Sequence, residues 1–239
     1  MLALDAQALE LGFLGQFAHG GVALGGLALG LQGAELAPLS LITFKFAEVQ
    51  IEFATGRAEA GLAITEEALG VAESSGVHAM DFMLRGQGAL AAACGRDLET
   101  ATKLWHAMGT GPAYSLPLNR SFYHHIASRI SWLERRYEAA QREIGTALQA
   151  IEGAGMIVSA ILCRLVKAQI LWESGETDSA QTALADAAEQ AAASGVPSLS
   201  NGCRMVEAHF CLGGNDPERG AQRLRDALGT ARPAGRPAD

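Results

Sequence analysis

A short turn returns about every forty residues along this chain, and that period restricts the available folds more than any other feature. "GRDLETA" at 95–101 stands between two stretches rich in alanine and leucine, and "RRYEAA" at 135–140 and "GETDSA" at 175–180 repeat its form. A helix breaker followed by a capping residue and a small-residue run is the punctuation of a helical hairpin. Turns inside such hairpins are expected at Gly56, Gly95, Arg135, Gly175 and Gly214. The predicted organisation is a Gly/Ala/Leu-rich helical pair of poor definition at 1–37, then five hairpins within 38–232. These occupy 38–76, 77–112, 117–154, 155–195 and 198–231, and a disordered tail is expected at 233–239.

Composition agrees with an all-α chain. Of 239 residues, 49% are hydrophobic and only 6% aromatic, so the core is built from alanine and leucine, both strong helix formers. Strand-like alternation of valine, isoleucine and threonine is scarce. The net charge of -8, with both signs interspersed, offers no broad positive field for phosphates, so direct nucleic-acid binding is not expected.

The turns have a physical basis. Glycine tolerates the left-handed conformation at a helix C-terminus, and Asp97, Thr177 and Asp216 are placed to cap the helices that follow. Pro217 falls near a permitted first helical position. Small residues let the paired helices approach, with Ala139, Ala140, Ala180 and Ala187 expected to face Ser128 and Ala168. One hairpin cannot bury its apolar stripe alone. Stacking each on the next does so, which predicts a right-handed superhelical solenoid whose concave face is lined mainly by first helices.

Residues 11–31, "LGFLGQFAHGGVALGGLALGL", carry no formal charge and are long enough to cross a bilayer. Basic flanking residues are lacking, since Asp5 and Glu10 are the nearest charges and Lys45 is the first cation. Glycines, Gln16 and His19 weaken the segment as an apolar helix, and no membrane association is expected. Cys94, Cys163, Cys203 and Cys211 show no CxxC spacing and fall in apolar helical stretches. They read as small buried hydrophobes in a reducing, cytoplasmic setting, with no metal site.

"GETDSAQTALADA" and "RRYEAAQREIGTAL" resemble second helices of tetratricopeptide repeats, with a period longer than the usual one. Together with "EEALGVAESSGVHAMDFMLRGQGALAAACGRDLETA" and "GMIVSAILCRLVKAQILWESGE", they make residues 36–232 similar to the helical sensor region of MalT-like, LuxR-type ATP-dependent transcriptional regulators. That resemblance implies a TPR-like region that binds an inducer or a partner protein. The chain holds no GxxxxGK[ST] and no helix-turn-helix pattern, so it is expected to be a segment of such a regulator or a stand-alone descendant.

No enzyme and no cofactor are expected. "GQGALA" at 86–91 matches GxGxxA but lies mid-helix without a preceding strand. "GTGPAYSLP" at 109–117 lacks the lysine and helix of a phosphate loop and reads as a long connection between hairpins. His124 and His125 point about 100° apart on a helix, a poor arrangement for one metal. Glu66, Glu67, Glu134 and Glu138 read as solvated surface charges. Register on the turns places Gln50, Arg85, His125, Arg129, Gln169, Trp172 and Arg204 on the concave face. Arginine and aromatic groups there suit a peptide or protein partner, with a small inducer as the alternative occupant. An open end of the stack could also self-associate.

Overall fold

In the computed structural model, which describes residues 37–214 and 216–231, the forty-residue turn does divide the chain into helical pairs. The described residues contain ten α-helices and no strand: α1 (Pro38–Ala54), α2 (Ala58–Ser75), α3 (Asp81–Cys94), α4 (Leu98–Met108), α5 (Pro117–Leu133), α6 (Tyr137–Ile151), α7 (Ile157–Glu173), α8 (Thr177–Ser194), α9 (Pro197–Gly213) and α10 (Pro217–Ala231). A single 3₁₀ turn, Pro112–Ser115, lies between α4 and α5. The expected N-terminal helical pair, with its apolar stretch, and the C-terminal tail lie outside the described residues.

Four of the five hairpin turns share one wiring. Arg57, Asp97, Arg136 and Glu176 donate their backbone N–H to the carbonyls of Glu52, Ala92, Ser131 and Leu171, at 2.8, 2.9, 2.8 and 2.9 Å. The residue before each donor bonds back to Phe53, Ala93, Trp132 and Trp172. This double bond is the Schellman motif, which forces a positive φ on its middle residue. Gly56 and Gly175 meet that demand freely, whereas Arg96 (φ 61°) and Arg135 (φ 59°) meet it at some strain. Asp216 makes the equivalent long-reach bond to Cys211 at 3.4 Å in the fifth turn.

Several local expectations are corrected. Gly95 is right-handed (φ -71°) and Gly214 is not left-handed either (φ -94°). In the second turn the motif's register places the left-handed residue one position later, at Arg96. Asp97 and Asp216 do cap, accepting from the N–H of Thr100 (3.0 Å) and Arg219 (3.1 Å), but Thr177 is already inside α8 and caps nothing. Ala139 is half-buried, turned partly to solvent, and so are Cys94 and Cys211, while Cys163 and Cys203 are buried.

Each hairpin closes around a small residue. Gly61, Ala101, Ala140, Ala180 and Gly220 hold the same place on α2, α4, α6, α8 and α10, and all are buried. Opposite them Val49, Ala89, Ser128, Ala168 and Ala208 are each 0% exposed, apart from the Ser128 hydroxyl a purely small or apolar row. A methyl on Gly61 would stand 3.7 Å from the Val49 carbonyl, and one on Gly220 3.2 Å from that of Ala208. A larger side chain at these places would separate the helices.

No hairpin owns its core. Ile42, Ala68 and Leu84 join the first hairpin to the second, and Phe82, Met108 and Phe122 join the second to the third. Trp132, Ile144 and Ile170 join the third to the fourth, and Ile161, Ala187 and Phe210 the fourth to the fifth. Successive hairpins meet through α2 on α3, α4 on α5, α6 on α7 and α8 on α9, with α1 on α3, α3 on α5 and α7 on α9 adding contacts between first helices. The helices α3 and α5 are consequently buried along most of their length. "GQGALA" lies inside α3, packed on all sides.

Candidate functional site

The candidate residues fall into two groups. Gln50, His125, Arg129 and Gln169 are 2%, 8%, 2% and 3% exposed, enclosed between helices rather than displayed on an open face. Burial arises because the first helices are covered by the neighbouring hairpins as well as by their own second helices. Gln50, Arg129 and Gln169 occupy equivalent places on α1, α5 and α7. Among the described residues, nothing donates a hydrogen bond to the carbonyl oxygens of Gln50 and Gln169, or to that of Gln87 on α3. The Arg129 guanidinium lies 5.2 Å from the centre of the Trp132 ring, and the indole N–H of Trp132 donates to Glu173 at 2.9 Å, tying α5 to α7.

Arg85, Trp172 and Arg204 remain partly exposed. Arg85 belongs to a column that the sequence pattern does not isolate: Lys45, Arg85, His124, Arg164 and Arg204 stand at one repeat position on the five first helices. Four of the five reach across their own hairpin. Lys45 pairs with Glu67, Arg85 donates to the Ala107 carbonyl (2.9 Å) and to Asp81 (2.8 Å), His124 meets Glu143, and Arg164 donates to Gln190 (2.9 Å). Arg204 instead bonds Asn201 on its own helix at 2.8 Å. Trp172 stacks on Phe210 with ring centres 4.4 Å apart and planes 10° from parallel, joining the fourth hairpin to the fifth.

Inside α5 and α7, His125 and Cys163 come together, with Nδ1 and Sγ 3.8 Å apart and Ser121 Oγ 4.0 Å from the same sulfur. A thiol beside an imidazole suggests a nucleophile, but the environment opposes one. Burial, with the Arg129 cation second, pushes the His125 pKa down to about 3, and burial pushes that of Cys163 up to about 12. Both therefore stay neutral, so no thiolate–imidazolium pair forms.

A more open cluster surrounds the connection between the second and third hairpins. Tyr114 in the 3₁₀ turn places its hydroxyl 2.8 Å from His124 Nε2, and His124 Nδ1 is 2.6 Å from Glu143 on α6. Asn119 donates to the Ala113 carbonyl at 2.9 Å and fixes the same turn. The Tyr123 ring stands edge-on to Tyr114 at 5.3 Å and lies 5.2 Å from Trp105, whose buried indole N–H finds no acceptor among the described residues. Burial raises the Tyr123 phenol pKa, assisted by Tyr114 and Glu143. The three residues of the Tyr–His–Glu chain are too scattered in sequence for any motif to mark them. Their signal was the basic column, in which a histidine takes a place otherwise held by Lys or Arg.

Among the described residues, no group of three or more His, Cys, Asp or Glu side chains is arranged to hold a metal ion. No helix there is long and apolar enough to cross a membrane. In comparisons with protein-family models, with curated proteins and with solved structures, the chain has no match. Nothing in these comparisons identifies a LuxR-type region.

Proposed function

We propose that this chain is a non-catalytic helical-repeat scaffold or sensor segment that binds a peptide or protein partner, as part of, or derived from, a MalT-like LuxR-type regulator acting in the cytoplasm. In this reading the hairpins are TPR-like units wound into a right-handed solenoid, and the partly exposed Arg85, Trp172 and Arg204 contribute to the partner surface. The supporting observation is that every described core cluster is shared between hairpins. A chain built so has one continuous body and long faces, the property that repeat scaffolds use for recognition. Nothing in the buried His125–Cys163 pair favours turnover instead.

A second reading, a receptor for a small polar inducer, draws on the buried carbonyl oxygens of Gln50, Gln87 and Gln169, acceptors that no donor among the described residues meets. The test compares wild type with Arg204→Glu and Arg85→Glu in quantitative partner capture. Loss of about tenfold or more in affinity, with Glu66→Lys on α2 retaining the partner, supports the first reading. A partner held equally by all variants would move the surface elsewhere. A metabolite that raises the melting temperature, with no protein captured, would favour the second. Deleting residues 156–195 should destabilise the flanking hairpins, and unchanged thermal unfolding of those hairpins would refute the stacked arrangement.

A further inference from the structure

We propose that Tyr114 is a primed nucleophile, a covalent modification site that takes an acyl group from an activated ester or related acyl donor through the Tyr114–His124–Glu143 chain. The Tyr114 site does not depend on the partner-binding reading.

With the His124 ring neutral and Glu143 a carboxylate, the direction of each hydrogen bond is fixed. An ionised carboxylate only accepts, so the proton between His124 and Glu143 resides on Nδ1 at 2.6 Å. In the neutral ring Nε2 then carries a lone pair, and the group facing it at 2.8 Å is the Tyr114 hydroxyl. A hydroxyl held against a base, with the base oriented by a third group, is the arrangement that activates a nucleophile. The three parts come from three elements, the 3₁₀ turn, α5 and α6, so the alignment is set by packing and not by adjacency in sequence.

The site is also reachable. Thr110, Gly111, Pro112 and Ala113 are exposed or nearly so, Tyr114 is half-buried, and the His124 and Glu143 side chains are 17% and 34% exposed. The Tyr123 ring forms an apolar wall against which an acyl chain can rest. In the reaction His124 Nε2 takes the phenol proton while the phenol oxygen bonds to the acyl carbon. The bond to the leaving group breaks, and that group departs with the electron pair and the proton from Nε2. Tyr114 is left as an aryl ester and His124 as the neutral ring it was.

The chain contains three tyrosines, Tyr114, Tyr123 and Tyr137, all half-buried, so two serve as internal controls. The experiment treats the full chain with limiting N-acetylimidazole and follows each tyrosine by peptide mass spectrometry. Acetylation of Tyr114 is expected to exceed that of Tyr137 by about tenfold or more and to fall by a similar factor in His124→Gln, since a general base contributes at least that much. Glu143→Gln, which keeps the shape of the contact, should lower the Tyr114 rate and leave Tyr137 unchanged. Equal rates at the three tyrosines overturn the proposal. So does a faster Tyr114 in His124→Gln, the result expected if the histidine only pins the turn. Circular dichroism confirms folding of the variants, and if His124→Gln does not fold, the wild-type ratio and Glu143→Gln decide.

Discussion

Helices α3 and α5 lie against each other and are both buried along most of their length, yet they reach that state by opposite chemistry. In α3 the buried run is Gly86, Gln87, Gly88 and then Ala, Leu, Ala, Ala, Ala, so apart from Gln87 and Leu90 the helix fits because little projects from it. In α5 the buried run includes Ser121, His125, Ser128, Arg129 and Ser131, and the polar groups must be answered locally. Ser128 turns its hydroxyl back on the His125 carbonyl at 2.7 Å, His125 meets Cys163, and the Arg129 cation lies over an indole. The first helix is therefore limited by volume and the second by charge and hydrogen bonding.

The largest effect should come from filling α3. A Cβ at Gly86 would lie 2.3 Å from Phe122 Cε1 and 3.1 Å from Met108 Cε, inside the seam between the two helices. Gly86→Val should cost about 3 kcal/mol in urea unfolding, and a loss below about 1 kcal/mol would mean the seam is looser than these distances imply. The next effect belongs to α5. Because the His125 pKa is held down to about 3, the stability gained by keeping it neutral is complete above the ordinary histidine range and is lost as the pH falls. Between pH 7 and 5 wild type should lose about 2 kcal/mol more than His125→Gln. Parallel pH profiles for the two proteins would remove His125 from the account.

Smaller effects separate the two chemistries further. Glu173→Ala removes the acceptor of the Trp132 indole and should cost about 1 kcal/mol, readable as a lowered melting temperature. Gly145 on α6 is the control for α3, an exposed mid-helix glycine where an added methyl would meet nothing within 4 Å. Gly145→Ala should raise stability by about 0.5 kcal/mol, opposite in sign to any addition at Gly86. If it too destabilised the chain, the cost at Gly86 could not be assigned to crowding alone.

The hairpins were legible because their signals are local. Alanine-rich runs, prolines at Pro117 and Pro217 and the capping residue Asp97 act within a turn or two of where they stand. What failed locally failed for a reason of register. Gly95 looks like the turn glycine, but the bond from Asp97 to Ala92 assigns the left-handed place to Arg96, and Thr177 looks like a cap but falls one residue inside its helix. The candidate site was less legible because exposure is set by neighbours. Gln50, His125, Arg129 and Gln169 take their expected faces from a single helix, and covering hairpins close over them. The meeting of Tyr114, His124 and Glu143 depends on how a connection folds back, which periodicity does not encode.

The sharing of each core between adjacent hairpins also bears on how the chain acquires its structure during synthesis. Its main contacts join helices that are neighbours or next neighbours in sequence, so few long loops must close before burial begins. A hairpin leaving the ribosome can dock on the one made just before it, while its other side waits for the one to come. The growing end is then always a half-covered apolar face. It is an exposure that moves along the molecule at the pace of translation.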